Sequence, residues 1–329
     1  MRTRFPRMAV LALSLSISSM ASAADKVVFQ LDWLPGGDKA PVYVGIQQGY
    51  FQAADLDVSI ASGRGSTDAV TKMATGQSDV GTADIGALMA AKAQDDVPVS
   101  AVYAFFTQAP HAFFTLADSD IESIKDIPGK KVATSPFTSS NAFLPLVLEE
   151  NGMPADAVTL TKTDPGALGP MLMTGNTDAI IAWVTNTALF TEQAKSAGKE
   201  IRVLPWSDAG LELYSSSLLA ADKFIKERPD VAKRFVRAYA KAVAFTADKP
   251  KQAGEDIHTM VPEVDPIVAA NQITDTMKLV KNSISDTDGM GVFTKARVAQ
   301  TWTYVAKANG LETSALDPES IINRSLMPE

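Results

Sequence analysis

The chain has no cysteine among its 329 residues and only two histidines, His111 and His258. Without thiols it cannot form a disulfide, hold a metal through thiolates or use a cysteine nucleophile. We expect the two histidines to be a loop residue and a helix-surface residue, because isolated histidines more often serve structure than catalysis. The sequence therefore predicts no catalytic residue, no metal site and no cofactor.

Long apolar runs are also missing, apart from one near the start of the chain. Three arginines precede the run from Met8 to Met20, and the small residues Ala21-Ser22-Ala23 follow it. This pattern is typical of a cleavable secretory signal. A membrane anchor is the alternative, but the run is shorter than the roughly 20 residues that span a bilayer. We predict that residues 1–23 are a signal peptide, that the mature chain begins at Ala24, and that it is periplasmic without a lipid anchor.

Positive charge is scarce relative to negative charge. The formal net charge is −8, with 46% hydrophobic and 21% charged residues. This composition is that of an ordinary globular protein long enough to bury two cores. The acidic balance argues against nucleic acid as a partner. We expect a monomer that binds a small molecule.

What the sequence does contain is an internal repeat. Residues 73–79 read MATGQSD and residues 172–178 read LMTGNTD, and each phrase is followed by a strand-like apolar segment. The two phrases lie about 100 residues apart, a spacing that fits one small lobe repeated rather than a solenoid. Two similar lobes predict a cleft between them.

The order of predicted strands and helices supports two α/β lobes. Strands and helices alternate through most of the chain, which favours largely parallel sheets with ligands at the carboxyl ends of the strands. We predict lobe 2 at residues 119–211, and lobe 1 at residues 24–118 together with 212–329. Long helical patterns at 229–247, 266–283 and 294–308 form a C-terminal extension that we expect to pack on lobe 1. Two crossings between lobes would act as a hinge.

Several phrases together carry a family resemblance, which extends over the whole mature chain. They are QLDWLP at 30–35, YVGIQQGYF at 43–51, GST at 65–67, GQSDVG at 76–81, IPGKKV at 127–132 and GNTD at 175–178. In this order they resemble the periplasmic solute-binding proteins of ABC importers, in the branch that binds nitrate, sulfonates, taurine and thiamine-pyrimidine precursors. The resemblance implies a type II-like two-lobe fold, with a permease and its ATPase subunit as partners. A membrane receptor as the partner is the alternative.

The sequence departs from the thiamine-pyrimidine subgroup at one turn. Similar pyrimidine synthases have a histidine before the tyrosine helix and a lysine that carries a cofactor, whereas Lys39 stands here at the place of that histidine. Since a shared fold does not carry function without its site, we expect a binding protein and not an enzyme.

Three groups of residues are candidates for the cleft. The aromatic candidates are Trp33, Tyr43, Phe137, Trp183 and Tyr214. The polar candidates at helix starts are Ser66, Thr67, Thr138, Ser139 and Asn186. The charged candidates are Asp32, Lys39, Asp84 and Glu212.

Each group has a purely structural alternative. The aromatic residues could be core, the hydroxyl residues could only cap helices, and Lys39 and Glu212 could be solvated surface charges. Aromatic walls with carboxylates favour a planar heterocycle, with a thiamine pyrimidine precursor as the leading hypothesis. Donor groups at helix starts would instead favour a sulfonate, taurine or nitrate.

Overall fold

The computed structural model describes residues 24–327, so the predicted signal peptide lies outside the described residues. Two five-stranded mixed sheets organise the chain. The strands of the first sheet are β1 (Asp25–Gln30), β2 (Leu56–Ala61), β3 (Val80–Asp84), β4 (Val99–Ala104) and β10 (Ser216–Ala221). Those of the second are β5 (His111–Leu116), β6 (Lys131–Thr134), β7 (Thr159–Lys162), β8 (Ala179–Trp183) and β9 (Ile201–Pro205).

The two sheets have the same plan, which confirms the two-lobe α/β fold class. Their orders are β2-β1-β3-β10-β4 and β7-β6-β8-β5-β9. In each sheet the first three strands are parallel and the fourth is antiparallel to its neighbours. In each sheet the antiparallel strand is the first one that the chain forms after it crosses from the other lobe. This strand lies between two others and not at the edge of the sheet.

The repeated sequence phrase has a structural explanation. Gly76 and Gly175 both have φ of +73°, a left-handed conformation that glycine adopts without steric cost. The carboxylates of Asp79 and Asp178 then each accept a hydrogen bond from a backbone N–H of the neighbouring strand, at 2.9 Å and 2.7 Å. The phrase thus ends a helix, turns the chain and fixes the next strand in register.

The lobe boundary differs from the prediction at its first crossing. The sequence places residues 111–118 in lobe 1, but β5 pairs with β8 and β9 in the second sheet. The first crossing therefore lies between Ala104 and His111. The same pairing makes His111 the first residue of a buried strand, so the prediction of a loop histidine is wrong. The predicted return to lobe 1 at residue 212 falls between β9 and β10.

Twelve α-helices flank the sheets within residues 24–327. They are α1 (Ala40–Gln47), α2 (Ser66–Ala74), α3 (Ile85–Gln94), α4 (Ser140–Glu150), α5 (Leu168–Met173), α6 (Thr187–Ser196), α7 (Asp222–Glu227), α8 (Pro229–Asp248), α9 (Pro250–Met260), α10 (Pro266–Val280), α11 (Ser283–Asp288) and α12 (Lys295–Ala308). In this part of the chain, none of the helices combines the length and apolar character needed to cross a bilayer.

The C-terminal helices do not pack on lobe 1 alone, which differs from the prediction. Helix α8 covers the first sheet, where Phe235 stacks on Phe51 with ring centroids 4.9 Å apart. Helix α10, however, also contacts α6 of the second lobe, and α12 contacts α4 there. The predicted helix at 266–283 ends at Val280, and Asn282 begins α11 with a capping box. Two helices of the extension therefore bridge the lobes.

Candidate functional site

The carboxyl ends of strands from both lobes meet at a small cavity. Asp32 and Trp33 follow β1, while Trp183 ends β8 on the opposite side. The cavity has a volume of about 20 Å³ and is lined by Asp32, Trp33, Asp38, Gly65, Ser66, Thr138, Ala182, Trp183 and Asn186. That volume holds about one water molecule. Any organic ligand at this place requires the lobes to separate, so the structure shows the cleft in its closed arrangement.

The two tryptophans cross the cleft in opposite directions. Trp33 of lobe 1 packs against an apolar cluster of lobe 2 that includes Phe190. Trp183 of lobe 2 is 9% exposed and packs into the core cluster of lobe 1, with its ring 5.9 Å from that of Phe106. Each lobe therefore inserts one large aromatic side chain into the other, and opening the cleft would uncover both rings.

A buried ion cluster lies beside the tryptophans. The Lys39 ammonium is 2.6 Å from Asp32 Oδ1 and 3.0 Å from Asp38 Oδ2, and all three side chains are at most 3% exposed. Thr82 donates to Asp32 at 2.9 Å, and Thr185 of lobe 2 donates to Asp38 at 3.3 Å. Two carboxylates therefore share one ammonium group, and both carboxylates line the cavity.

The pKa values in this cluster follow from burial and charge. Burial by itself lowers the pKa of Lys39, but the attraction of Asp32 and Asp38 outweighs burial and raises that pKa to about 12. Burial raises the pKa of Asp32, although Lys39 opposes this effect. Lys39 therefore stays protonated at neutral pH and is held between two carboxylates.

The first turn of α2 touches lobe 2 through its backbone. Thr67 N–H donates to the Phe137 carbonyl at 3.1 Å, and the Ser135 hydroxyl donates to the Arg64 carbonyl at 2.7 Å. Gly65 has φ of +153°, and a Cβ at this position would lie 2.1 Å from the Phe137 carbonyl oxygen. Only glycine permits this approach of the two lobes.

A second polar contact between the lobes is centred on Asp84. Its Oδ2 accepts hydrogen bonds from Ser139 of lobe 2 at 3.0 Å and from Ser215 at 2.6 Å. His111 Nε2 lies 3.4 Å from the same oxygen, and His111 Nδ1 lies 2.8 Å from Ser140 Oγ. Burial raises the pKa of Asp84, but the adjacent His111 ring and hydrogen bonds from Ser215 and from the Gly86 N–H lower it by more, so that it lies below its ordinary value.

An outer groove continues from the small cavity towards solvent. It has a volume of about 640 Å³ and shares Trp33, Asp38 and Asn186 with the cavity. Its other walls come from α5 and α6 of lobe 2 and from residues 263–272 at the start of α10. No lysine, arginine or histidine of the described chain lines either the groove or the cavity.

The structure separates the fourteen candidates into three sets. Those that line the cavity are Asp32, Trp33, Ser66, Thr138, Trp183 and Asn186. Those that support it from behind, or join the lobes beside it, are Lys39, Thr67, Asp84, Phe137 and Ser139. Those that do not line it are Tyr43, Glu212 and Tyr214.

The three candidates that do not line the cavity are either buried in a core or exposed to solvent. Tyr43 is buried in the lobe 1 core, and Glu212 is exposed. Tyr214 packs at 5.4 Å from the Phe293 ring, and its hydroxyl donates to the Val292 carbonyl at 3.3 Å. Tyr214 is therefore core, and neither Tyr214 nor Glu212 lines the cavity.

Three residues that line the cavity, Asp38, Gly65 and Ala182, are not anticipated by the sequence. The sequence predicts a solvated turn for the Gly-Gly-Asp-Lys segment that contains Asp38. It predicts the start of a helix at Gly65. The turn is buried because Gly37 approaches α10 so closely that a Cβ there would lie 2.3 Å from the Ala269 carbonyl. Gln272 of α10 accepts from Gly37 N–H at 2.9 Å. No local signal in the sequence links residue 37 to residue 272.

Comparison with protein families gives one match that covers well over half of the chain. The model of the family described as "NMT1/THI5 like" matches residues 37–253. Two similar curated proteins are binding proteins. The riboflavin-binding protein RibY of Chloroflexus aurantiacus is 22% identical over 92% of this chain and 86% of its own. The formylaminopyrimidine-binding protein of Halalkalibacterium halodurans is 26% identical over 75% of this chain and 74% of its own.

Other relatives are named as enzymes, and the solved structures agree on the fold. A 4-amino-5-hydroxymethyl-2-methylpyrimidine phosphate synthase of Legionella pneumophila is 23% identical over 84% of this chain and 88% of its own. The alkanesulfonate-binding protein SsuA of Xanthomonas axonopodis, solved with MOPS, superposes with a TM-score of 0.71. It is 13% identical and covers 92% of this chain and 99% of its own. This likeness confirms the two-lobe fold of periplasmic binding proteins.

Proposed function

The chain belongs to the NMT1/THI5-like family, and we propose that it is a solute-binding protein that closes its two lobes around a planar nitrogen heterocycle. The ring would lie between Trp33 and Trp183, with its N–H groups donating to Asp32 and Asp38. A thiamine pyrimidine precursor and a flavin both have such rings, and relatives named for each are similar to this chain.

The charge of the cleft is the observation that carries this proposal. Asp32 and Asp38 are both nine-tenths buried or more, and their shared cation Lys39 is enclosed between them. The hydrogen bonds formed within residues 24–327 use Asp32 Oδ1 and Asp38 Oδ2, which leaves the other oxygen of each carboxylate for a ligand. A ligand that donates hydrogen bonds satisfies these oxygens, whereas an anion would meet two carboxyl groups that share a single cation.

The aromatic groups suit the same ligand class. Trp33 and Trp183 each pack across the cleft, so lobe opening exposes two flat apolar surfaces. A planar ring that replaces these contacts restores the burial and adds stacking worth about 0.5–1.5 kcal/mol for each aromatic pair. Closure around the ring would then remove it from water, as in other hinged binding proteins.

The alternative ligand class is a sulfonate-type anion, and one feature favours it. The start of α2 and the residue that precedes the N-cap of α4 both reach the cavity, through Ser66 and Thr138. Helix N-termini attract anions. In this structure, however, Thr67 N–H already donates to Phe137 and the Ser66 hydroxyl accepts from Asp84 N–H. The cleft therefore offers an anion fewer donors than its two helix ends suggest.

The family includes both binding proteins and pyrimidine synthases, and the cleft favours binding alone. A lysine that forms a Schiff base must lose its proton, and enzymes achieve this by lowering the lysine pKa. The pKa of Lys39 is instead raised to about 12 by its two carboxylate neighbours. The histidine nearest the cleft, His111, is directed to Asp84 and Ser140 and does not line the cavity.

The remaining parts of the proposal concern the cell. We place the protein in the periplasm, after export by the segment at residues 1–23, as a monomer that delivers its solute to an ABC permease and its ATPase subunit. A membrane receptor is the alternative partner. Co-purification with the permease or with a receptor kinase from membranes would distinguish the two.

A thermal-shift screen of the chain from Ala24 tests the ligand class. The panel contains 4-amino-5-hydroxymethyl-2-methylpyrimidine, formylaminopyrimidine, riboflavin, taurine, an alkanesulfonate and nitrate. A ligand at 100 times its Kd stabilises the folded state by about 2.7 kcal/mol, which raises Tm by several degrees. We expect a shift with a heterocycle, and a smaller one for the matched variant Asp38→Asn. A shift with an anion and none with any heterocycle would overturn the proposal.

A further inference from the structure

We propose that Asn186 selects heterocycles that have a hydrogen-bond acceptor, a ring nitrogen or a carbonyl oxygen, next to an N–H group, because its amide donates to that acceptor. This inference rests on the proposed function and narrows its ligand class. Asn186 is 6% exposed and lines both the small cavity and the outer groove. It follows β8 of lobe 2, whereas Asp32 and Asp38 belong to lobe 1, so the two lobes offer the ring different polar groups.

The turn that follows β8 presents three polar side chains in succession, and two of them have partners. Thr185 donates to Asp38 at 3.3 Å, and Thr187 donates to the Val184 carbonyl at 2.6 Å. Within residues 24–327, these two are the side-chain hydrogen bonds of the turn. Asn186 is the N-cap of α6, where an asparagine commonly accepts from the first turn, but its side chain forms no such bond. Its amide is therefore nearly buried, directed to the cavity and available to a ligand.

The Asn186 amide supplies a hydrogen-bonding group that the carboxylates of the cavity lack. The ionised carboxylates of Asp32 and Asp38 accept hydrogen bonds and donate none. A side-chain amide donates through nitrogen and accepts through oxygen, so it pairs with a ring edge that has an acceptor next to an N–H group. A ring of this kind satisfies the carboxylates with its N–H groups and the amide with its acceptor.

The chemical class that follows excludes some planar nitrogen heterocycles. An aminopyrimidine has its amino group next to a ring nitrogen, and a flavin has a ring N–H between two carbonyl groups. Indole is planar and has a ring N–H, but it has no acceptor beside it. The tryptophans and the carboxylates alone would accept all three rings. Asn186 distinguishes them, because a ring without an acceptor leaves the amide unpaired in a site closed to water.

Calorimetry with 4-amino-5-hydroxymethyl-2-methylpyrimidine, riboflavin and indole tests the inference. We expect at least one of the first two to bind tenfold or more tightly than indole. Asn186→Leu should reduce that ratio to threefold or less, because the substitution weakens only the ring that has the acceptor. The Asn186 side chain has no hydrogen bond in its turn. The Tm of the unliganded variant should therefore stay within about 2 °C of wild type.

Asn151→Leu is the matched control in the same lobe. The Asn151 amide donates to the Val147 and Ala209 carbonyls at 2.8 Å and 3.2 Å, and Asn151 lines neither the cavity nor the groove. This variant should lower Tm and preserve the ratio. If Asn186→Leu folds poorly, Asn186→Ala removes the same amide without added bulk and should reduce the ratio in the same way.

Two results would overturn the inference and leave the proposed function in place. One is indole bound as tightly as the other probes, or bound alone. The other is a ratio that stays unchanged in both Asn186 variants. Failure of every heterocycle, indole included, would instead overturn the proposed function.

Discussion

Gly65→Ala should weaken ligand binding by preventing the lobes from closing. A Cβ at this position would lie 2.1 Å from the Phe137 carbonyl oxygen of the other lobe. Relief of that clash must separate the lobes here and break two hydrogen bonds, Thr67 N–H to Phe137 and Ser135 to the Arg64 carbonyl. Each hydrogen bond contributes about 1 kcal/mol, so the closed state loses about 2 kcal/mol of stabilisation. This loss corresponds to a Kd about 30-fold higher.

The assay combines calorimetry with small-angle X-ray scattering, using the heterocycle identified by thermal shift. We expect the variant to fold, to bind more weakly and to show a larger radius of gyration than wild type at equal saturation. Gly76→Ala is the control, because Gly76 also has positive φ (+73°) but a Cβ there would have no atom within 4 Å. A Kd within threefold of wild type for Gly65→Ala would refute the reasoning.

Three further predictions concern the cleft and the contacts between lobes. Trp33→Ala should raise the Kd tenfold or more, about 1.4 kcal/mol, without unfolding the protein, and an unchanged Kd in calorimetry would remove Trp33 from the site. Lys39→Met leaves Asp32 and Asp38 buried without their cation and should lower the free energy of unfolding by about 3–5 kcal/mol in urea titrations; a loss below about 1 kcal/mol would contradict the ion cluster. Asp84→Asn tests pH dependence. Because the pKa of Asp84 is lowered below 3.8, the stability this carboxylate provides is complete above that pH and is lost as pH falls through the folded-state pKa. The difference in unfolding free energy between wild type and Asp84→Asn should shrink below pH 3.8. A difference that stays constant from pH 7 to 2.5 would contradict the lowered pKa of Asp84.

The sequence predicted the repeated lobes because the repeat follows from local chemistry. Each phrase contains a glycine and, three residues later, an aspartate. In the structure the glycine has a positive φ and the aspartate accepts a hydrogen bond from the neighbouring strand. Trp183 and Asp84 end equivalent strands of the two lobes, as the repeat predicted. Their roles differ, since Trp183 lines the cavity while Asp84 joins the lobes through hydrogen bonds.

The features that the sequence could not predict depend on contacts between distant residues. Lys39 is a cleft candidate in the sequence, but its burial depends on Gly37 fitting against α10, more than 200 residues later. The predicted first crossing lies too late because β5 is apolar and could belong to either sheet until its partners β8 and β9 are known. Tyr214 follows the return crossing, as expected, yet α12 covers it. Tertiary packing decides each of these cases.

Calorimetric titration of the chain from Ala24 with an aminopyrimidine, with riboflavin and with an alkanesulfonate tests the central claim most directly. The charge of the Asp32, Lys39 and Asp38 cluster predicts saturable binding of a heterocycle at one site per chain and no measurable heat from the sulfonate. Saturable binding of the sulfonate, with neither heterocycle bound, would contradict the account.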